Sequence, residues 1–162
     1  MFGRSLLGED HDNAYEGRSK MIVVAGVDDS LVSKTVVTKA IQEAEWREAE
    51  LHVVHVVQFP AVYADVPMDL SELAEAQRKL VWESVAPILT NAAIPVQRVD
   101  LEGYPPDQLV AYASAQAASL LVVGTRGHGE FASLILGSTS HRAIHLAECD
   151  VLVVKAKEAD EG

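Results

Sequence analysis

The sequence predicts an open α/β fold, a doubly wound parallel sheet of five strands with helices on both faces. Four short, nearly continuous apolar runs are typical of parallel strands that are covered on both faces, and a fifth strand is plausible over 96–101. Segments with the helical period of apolar residues lie between them. The 162 residues, 49% of them hydrophobic, suffice for one domain with a sizeable core. This alternation implies helices that cross over the sheet in the right-handed sense.

The first half of the chain supplies two strands and two helices. The run 21–27 is the first strand, and from Ser30 onward the apolar residues share one helical face: Val36, Val37, Ala40, Ile41 and Ala44. Residues 51–57 return to strand character. After a proline-containing loop over 58–68, a long helix is marked by Leu70, Leu73, Leu80, Val81, Val85, Ile88 and Leu89. Pro87 lies inside this helix, so we expect a kink or an early stop.

The second half completes the sheet. Residues 96–101 form the third strand, and the pair Pro105-Pro106 introduces the third helix, where proline is well tolerated. The fourth strand leads into a glycine-rich loop. A fourth helix begins near Gly137, and the sheet is contacted either by Ile144 and Ala147 or by Ala143 and Leu146. The fifth strand is 151–154.

The chain divides into one domain and two peripheral segments. Residues 1–20 are polar and lack periodicity, which predicts a flexible N-terminal extension, and residues 156–162 form a charged tail. The domain spans 21–155. Its apolar runs are too short to cross a bilayer and the first residues lack a signal-peptide core, so we expect a cytoplasmic protein without membrane association.

The net charge restricts the class of partner. Twenty-four acidic residues against 13 basic ones give a formal charge of −11, which disfavours binding to nucleic acid or to anionic lipid. The single cysteine, Cys149, excludes an internal disulfide and favours a small buried side chain over a reactive thiol.

The main functional signal is a glycine motif. Gly124-Thr125-Arg126-Gly127 directly follows the fourth strand, and Gly137-Ser138-Thr139 follows after nine more residues. Glycine permits tight turns and a close backbone approach to a ligand. A turn that opens a helix also offers unpaired N–H groups to an anion. The motif therefore predicts a phosphate-binding site, although the glycines alone also suit plain turns.

Other segments are expected to meet this motif. Ligands of open α/β sheets bind beyond the carboxyl ends of the strands, where the strand order reverses. There the Asp28 carboxylate is suited to accept a hydrogen bond from an amine or a hydroxyl, and Val56 to pack against a flat base. Arg126 adds positive charge, and the carboxylates together with a bound phosphate suggest Mg²⁺. The start of the fourth helix would hold a polyphosphate through Gly137, Ser138, Thr139 and Ser140.

With these residues the chain resembles the universal stress protein family. The ATP-binding members carry Gly-x₂-Gly-x₉-Gly-Ser/Thr, which Gly124, Gly127, Gly137 and Ser138 match, and the first-strand pattern Val-Asp-x-Ser is present at 27–30. The resemblance covers 21–155. It implies strand order 3-2-1-4-5, bound ATP, and a homodimer joined through the last strand, Val151 to Val154.

The resemblance also implies roles for individual residues. Asp28 contacts adenine, with Val27 beside it and Val56 as a wall of the base pocket. The ribose and phosphates are lined by Val123, Gly124, Arg126 and Gly127, and the phosphates are held by Gly137, Ser138, Thr139 and Ser140. The chain departs from the frequent pattern of the family at Asp29, Ser119 and Asp150.

Structural interpretations compete with several of these roles. Asp28 and Ser30 are also favoured helix caps, as is Ser138. His52 and His55 lie three apart on a strand, so they point to opposite faces and do not form a metal pair. His141 and His145 share a helical face, but the HExxH context is absent and a metal site is not expected.

The hypothesis that follows is a nucleotide-responsive regulator in the stress response. ATP would order the loop 125–136 and thereby change a surface that an unknown regulatory protein recognises. The sequence lacks a P-loop and a nucleophile elbow, so at most weak ATP hydrolysis is expected. Two alternatives stay open, namely a slow ATPase or phosphotransferase that uses the same pocket and a nucleotide-free interaction module with the same fold.

Overall fold

All five strands of the sheet are parallel, and their order is β3-β2-β1-β4-β5. The computed structural model describes residues 20–59, 70–125 and 136–155. The elements in chain order are β1 Ile22–Val27, α1 Val32–Trp46, β2 Glu50–Val57, α2 Ser71–Thr90, β3 Val96–Glu102, α3 Pro105–Ala115, β4 Leu120–Gly124, α4 Ser138–Leu146 and β5 Asp150–Val154. The predicted fold class and strand order are confirmed.

Helices cover both faces of the central strands, which is why β1, β2 and β4 are largely apolar on both sides. Alternate residues of β1 divide between two cores: Val23 packs on the side of α1 and α2, and Val24 packs on the side of α3 and α4. Leu51 and Leu121 repeat this division in β2 and β4, and each is fully buried. The continuous apolar runs therefore correspond to strands without a solvent-facing side.

Helix α2 corrects two expectations. Of the kink or early stop expected at Pro87, the early stop is wrong, because the helix continues through Pro87 to Thr90. Pro87 is exposed, where water can solvate the carbonyl that loses its partner. Leu73 and Leu80 are 37% and 56% exposed, and the fully covered positions are Ala74, Val81, Val85 and Leu89.

Helix α4 faces the core through small residues. Ala143 and Ser140 are buried, whereas Ile144 and Leu146 are about half exposed. Each predicted pair was therefore only partly right, because one member of each pair lies on the solvent side of the helix. The small inward side chains suit the close packing of α4 against α3 and β4.

Some predictions lie outside the described residues. These are the extension over 1–19, the tail over 156–162, and the site residues Arg126 and Gly127. Within the described ranges, the helices are too short or too polar to traverse a lipid bilayer.

Candidate functional site

A cavity of about 840 Å³ opens at the carboxyl edge of the sheet. β1 is paired with β2 on one side and with β4 on the other, so this edge is the point at which the chain reverses its direction across the sheet. The described walls come from the ends of β1, β2 and β4, from the starts of α1, α3 and α4, and from α2. Strand order thus places the cavity where a ligand site was predicted.

All predicted site residues in the described ranges line this cavity. They come from three strand ends and from the start of α4, and they are Val27, Asp28, Val56, Val123, Gly124, Gly137, Ser138, Thr139 and Ser140. Segments separated by about a hundred residues in sequence therefore share one space. Arg126 and Gly127 lie outside the described residues.

The Asp28 carboxylate is fixed in place by the turn that follows β1. Its Oδ1 accepts hydrogen bonds from the Ser30 backbone N–H at 3.0 Å and from the Ser33 hydroxyl at 2.8 Å, and also from the Ser30 hydroxyl. The Ser33 oxygen in turn accepts the Asp28 N–H at 2.9 Å. Leu31 is the N-cap of α1, and it makes no side-chain capping bond. Asp28 therefore organises the turn without capping the helix.

Within the described part of the chain, the start of α4 presents backbone donors that have no acceptor. Gly137 is its N-cap, and the first helical hydrogen bond runs from the His141 N–H to the Gly137 carbonyl at 2.9 Å. The N–H groups of Ser138, Thr139 and Ser140 precede that bond, so the helix supplies no acceptor for them. They lie at the positive end of the helix dipole and on the cavity wall. Ser138 is not the cap that one interpretation suggested.

Ser140 has a different role from its neighbours. Its side chain is completely buried, and its hydroxyl donates to the carbonyls of Gly137 at 3.0 Å and Thr125 at 3.4 Å. The Gly137 N–H also donates to the Thr125 carbonyl at 2.7 Å. These bonds hold the start of α4 against the end of β4. Any contact of Ser140 with a ligand would consequently use its backbone N–H.

The apolar walls depend on one close approach between β1 and α3. A Cβ on Gly26 would lie 2.7 Å from Leu109 Cδ1, so a larger residue at this position would force the Leu109 side chain to shift. Leu109, Val56 and Val123 are each at most 7% exposed and line the cavity beside it. A flat apolar group of a ligand would pack against these buried side chains.

Sequence reasoning missed a buried histidine in this cavity. His55 is 4% exposed, lines the cavity, and places its Nδ1 3.1 Å from Asp100 Oδ1. The Trp82 indole N–H donates to both Asp100 oxygens, at 3.1 and 3.0 Å, which fixes the carboxylate. A carboxylate partner favours the proton on Nδ1 and leaves Nε2 as an acceptor. The signal in the sequence was a polar residue inside an apolar strand end.

The two strand histidines do point to opposite faces, as predicted. His52 contacts Tyr112 of α3, and its Nδ1 lies 2.9 Å from the tyrosine oxygen. His55 meets the edge of the Trp82 ring on the α2 side, with ring centroids 6.5 Å apart. They belong to separate environments, one at each end of β2.

The charge of the cavity is unusual for an anion site. The described lining contains the carboxylates of Asp28 and Asp29 but no lysine or arginine. The whole chain carries −11. Attraction of a phosphate to the described wall would thus come from backbone N–H groups and the helix dipole rather than from cationic side chains.

The comparisons with known proteins agree on one family. The model of the universal stress protein family matches residues 21–155. The universal stress protein Rv2005c of Mycobacterium tuberculosis is 32% identical over 139 residues, which cover 82% of this chain and 45% of that protein. The universal stress protein MJ0531 of Methanocaldococcus jannaschii is 31% identical over 137 residues, 82% of this chain and 81% of its own length. The chain spans about half the length of the mycobacterial relatives.

Solved structures share the fold. The universal stress protein UspA from Lactobacillus plantarum superposes with a TM-score of 0.70 at 22% identity, over 85% of this chain and 99% of that one. A universal stress protein crystallised in complex with cAMP gives a TM-score of 0.63 at 25% identity, over 83% of this chain and 96% of that one.

Proposed function

Since the chain belongs to the universal stress protein family, we propose that it binds an adenine nucleotide, ATP first of all, in the cavity at the carboxyl edge of the sheet. One observation carries the proposal: a single cavity joins the Asp28 carboxylate to the unpaired N–H groups at the start of α4. The relative in complex with cAMP supports the choice of an adenine nucleotide.

In this proposal each part of the nucleotide contacts a different part of the cavity wall. The phosphates lie against the N–H groups of α4, with the exposed Ser138 hydroxyl as an additional donor. The adenine packs on Val56 and donates its exocyclic amine to Asp28. Val27 lies beside Asp28 at the adenine, Val123 and Gly124 border the ribose, and Arg126 and Gly127 complete the phosphate site. A Mg²⁺ ion that arrives with the triphosphate would be held by the phosphates and by water.

The nucleotide acts in this proposal as a regulatory ligand in the stress response. Its phosphates would contact the element that Ser140 and Gly137 tie to β4, and so would stabilise one arrangement of α4 and of the segment 125–136. A partner protein would recognise that arrangement. The mycobacterial relatives are about twice as long as this chain, so the partner of the whole protein is also proposed and not inferred from those relatives.

A homodimer through β5 is part of the same proposal. β5 is an edge strand of the described sheet, and its outer side offers unpaired backbone groups. Val151, Leu152 and Val153 are only partly buried. Pairing of β5 with its copy would cover them. Sedimentation equilibrium checks this, since a species of twice the 17.5 kDa chain mass is expected.

Calorimetric titration with ATP, ADP, AMP and cAMP tests the binding. Asp28→Ala and Gly127→Val are each expected to weaken ATP binding by about 1–3 kcal/mol, because one removes a polar partner and the other blocks the backbone approach. Glu45→Ala, on the exposed far end of α1, is the control and should bind like the parent protein. Absence of heat and of any melting shift would favour the nucleotide-free interaction module, and unchanged affinity in both variants would place the pocket elsewhere.

The His55–Asp100 pair favours one alternative, a slow ATPase. A histidine oriented by a carboxylate can act as a general base, and this one borders the cavity. Single-turnover assay with γ-labelled ATP separates the two functions. The regulatory proposal expects intact ATP after prolonged incubation, whereas phosphate release that disappears in both His55→Gln and Gly124→Val would establish catalysis.

A further inference from the structure

The outer face of α4 carries two imidazoles that converge. The ring centroids of His141 and His145 lie 4.5 Å apart, with the planes inclined by 54°. Both residues are exposed. Neither ring makes a hydrogen bond or an ion pair within the part of the chain that the structure describes, so their nitrogens remain available.

The packing of the helix fixes this orientation. Ser140 and Ala143 are buried against the sheet, which turns positions 141 and 145 toward solvent on successive turns. Arg142, between them in sequence, is held by Asp107 of α3 through an Nε–Oδ1 contact of 2.7 Å. The nearest cationic side chain on the helix is thus neutralised by a carboxylate.

Contrary to the expectation from the sequence, we propose that His141 and His145 form a two-imidazole site for divalent ions of the late first-row transition metals. Imidazole nitrogen suits Cu²⁺, Ni²⁺ and Zn²⁺ and does not suit Mg²⁺. Among the described residues there is no group of three or more His, Cys, Asp or Glu side chains that could hold a metal, so water completes the coordination. The chain charge of −11 favours the approach of cations. Affinity follows the order Cu²⁺ above Ni²⁺ and Zn²⁺.

Metal binding would also stabilise α4. The helix has nine residues, and helices shorter than about 12 residues are marginal in water without tertiary support. An ion held by both imidazoles joins two turns only when the segment is helical. Occupancy of the site therefore raises the melting temperature of the protein.

Titration of the full chain with CuCl₂, NiCl₂ and ZnCl₂, without nucleotide, tests the site. His141→Ala and His145→Ala are each expected to lower Cu²⁺ affinity at least tenfold and to abolish the metal-dependent rise in melting temperature. Electron paramagnetic resonance of the Cu²⁺ complex should show two imidazole nitrogens in the parent protein and one in each variant. These readouts do not involve ATP, so they fail or succeed independently of the proposed nucleotide site.

A relocated histidine provides the matched control. The double variant H145A/L146H keeps the number of imidazoles, but five residues at about 100° per residue turn the second ring roughly 140° away from the first. Leu146 is 48% exposed, so the new side chain is accommodated. The control is expected to bind Cu²⁺ as weakly as His145→Ala. If it binds like the parent protein, or if the parent spectrum shows a single nitrogen, the proposal is wrong.

Discussion

The two edges of the sheet differ in whether their polar groups have hydrogen-bonding partners within the described protein. At the amino edge, Lys20 Nζ lies 2.7 Å from Glu50 Oε2, Glu50 Oε1 lies 3.6 Å from His52 Nε2, and His52 Nδ1 lies 2.9 Å from the Tyr112 oxygen. Each polar group there has a partner within the protein. At the carboxyl edge, the N–H groups at the start of α4 have no helical acceptor and face a cavity. Unused hydrogen-bonding capacity, rather than polarity, distinguishes the candidate site.

Burial shifts the pKa values of side chains at the amino edge. It lowers the pKa of His52 and raises the pKa of Tyr112, because both charged forms lose solvation. The Lys20 ammonium lowers the pKa of Glu50 through its hydrogen bond. This edge is therefore expected to contribute to stability, and the carboxyl edge to ligand affinity.

The largest effect on stability is expected at Leu109, which lines the cavity and also belongs to the hydrophobic core. Leu109→Ala removes a side chain that is 5% exposed and should lower the free energy of unfolding by about 2–5 kcal/mol, since burial is lost and a void remains. Leu136→Ala is the control, because Leu136 lines the same cavity but is 41% exposed. Urea denaturation measures both. Equal losses of stability in the two variants would show that Leu109 contributes no more to the core than the exposed wall residue Leu136.

The next largest effect comes from the close approach at β1. Gly26→Ala places a Cβ 2.7 Å from Leu109 Cδ1, and overpacking of this kind costs about 1–3 kcal/mol. In the Leu109→Val background the added methyl group has more room, so the same substitution should cost less. A double-mutant cycle in urea measures this coupling. Additive losses would show that Leu109 is not what excludes a side chain at position 26.

At the amino edge, Tyr112→Phe removes the hydroxyl that pairs with His52 Nδ1. Tyr112 is half-buried, so we expect a loss of about 1 kcal/mol, the usual value for one hydrogen bond. Thermal unfolding gives the stability, and calorimetry should show unchanged ATP affinity because the site lies at the opposite edge. Weaker ATP binding in this variant would mean that the two edges are coupled.

The smallest effect is a pH dependence. Because the pKa of His52 is lowered below its ordinary 6.5 in the folded state, the unfolded chain binds protons first as the pH falls. The contribution of His52 to stability is therefore fully present above pH 6.5 and is lost as the pH falls through the folded-state pKa. Below pH 4.5 the lowered pKa of Glu50 adds a loss in the same direction. His52→Gln should flatten the upper part of this decline in urea titrations, and an unchanged slope would assign it to other groups.

Much of the candidate site could be predicted from local sequence. Gly124 directly follows the apolar run 120–123, whose shortness and flanking glycine favour a strand that ends at the turn, and Gly137-Ser138-Thr139 complete the motif. Asp28 follows another run in the same way. Parallel strands end at a common edge, so these residues had to meet once the sheet was predicted.

The pairings across the site could not be predicted. His55 and Asp100 are 45 positions apart, and their contact depends on the register in which β2 pairs with β3. The hydroxyl of Ser140 bonds to the carbonyls of Gly137 and Thr125 rather than turning to the cavity. A serine in the first turn of a helix permits either arrangement.

The sequence by itself determined the fold class, the family resemblance and the edge of the sheet at which a ligand would bind. These follow from the periodicity of apolar residues and from glycine spacing, which are properties of neighbouring positions. Tertiary structure alone decided which polar groups are satisfied within the protein and which stay open, as in the chain from Lys20 to Tyr112 and the first turn of α4. Hydrogen bonding and burial depend on distances between remote segments, and only the folded chain sets those distances.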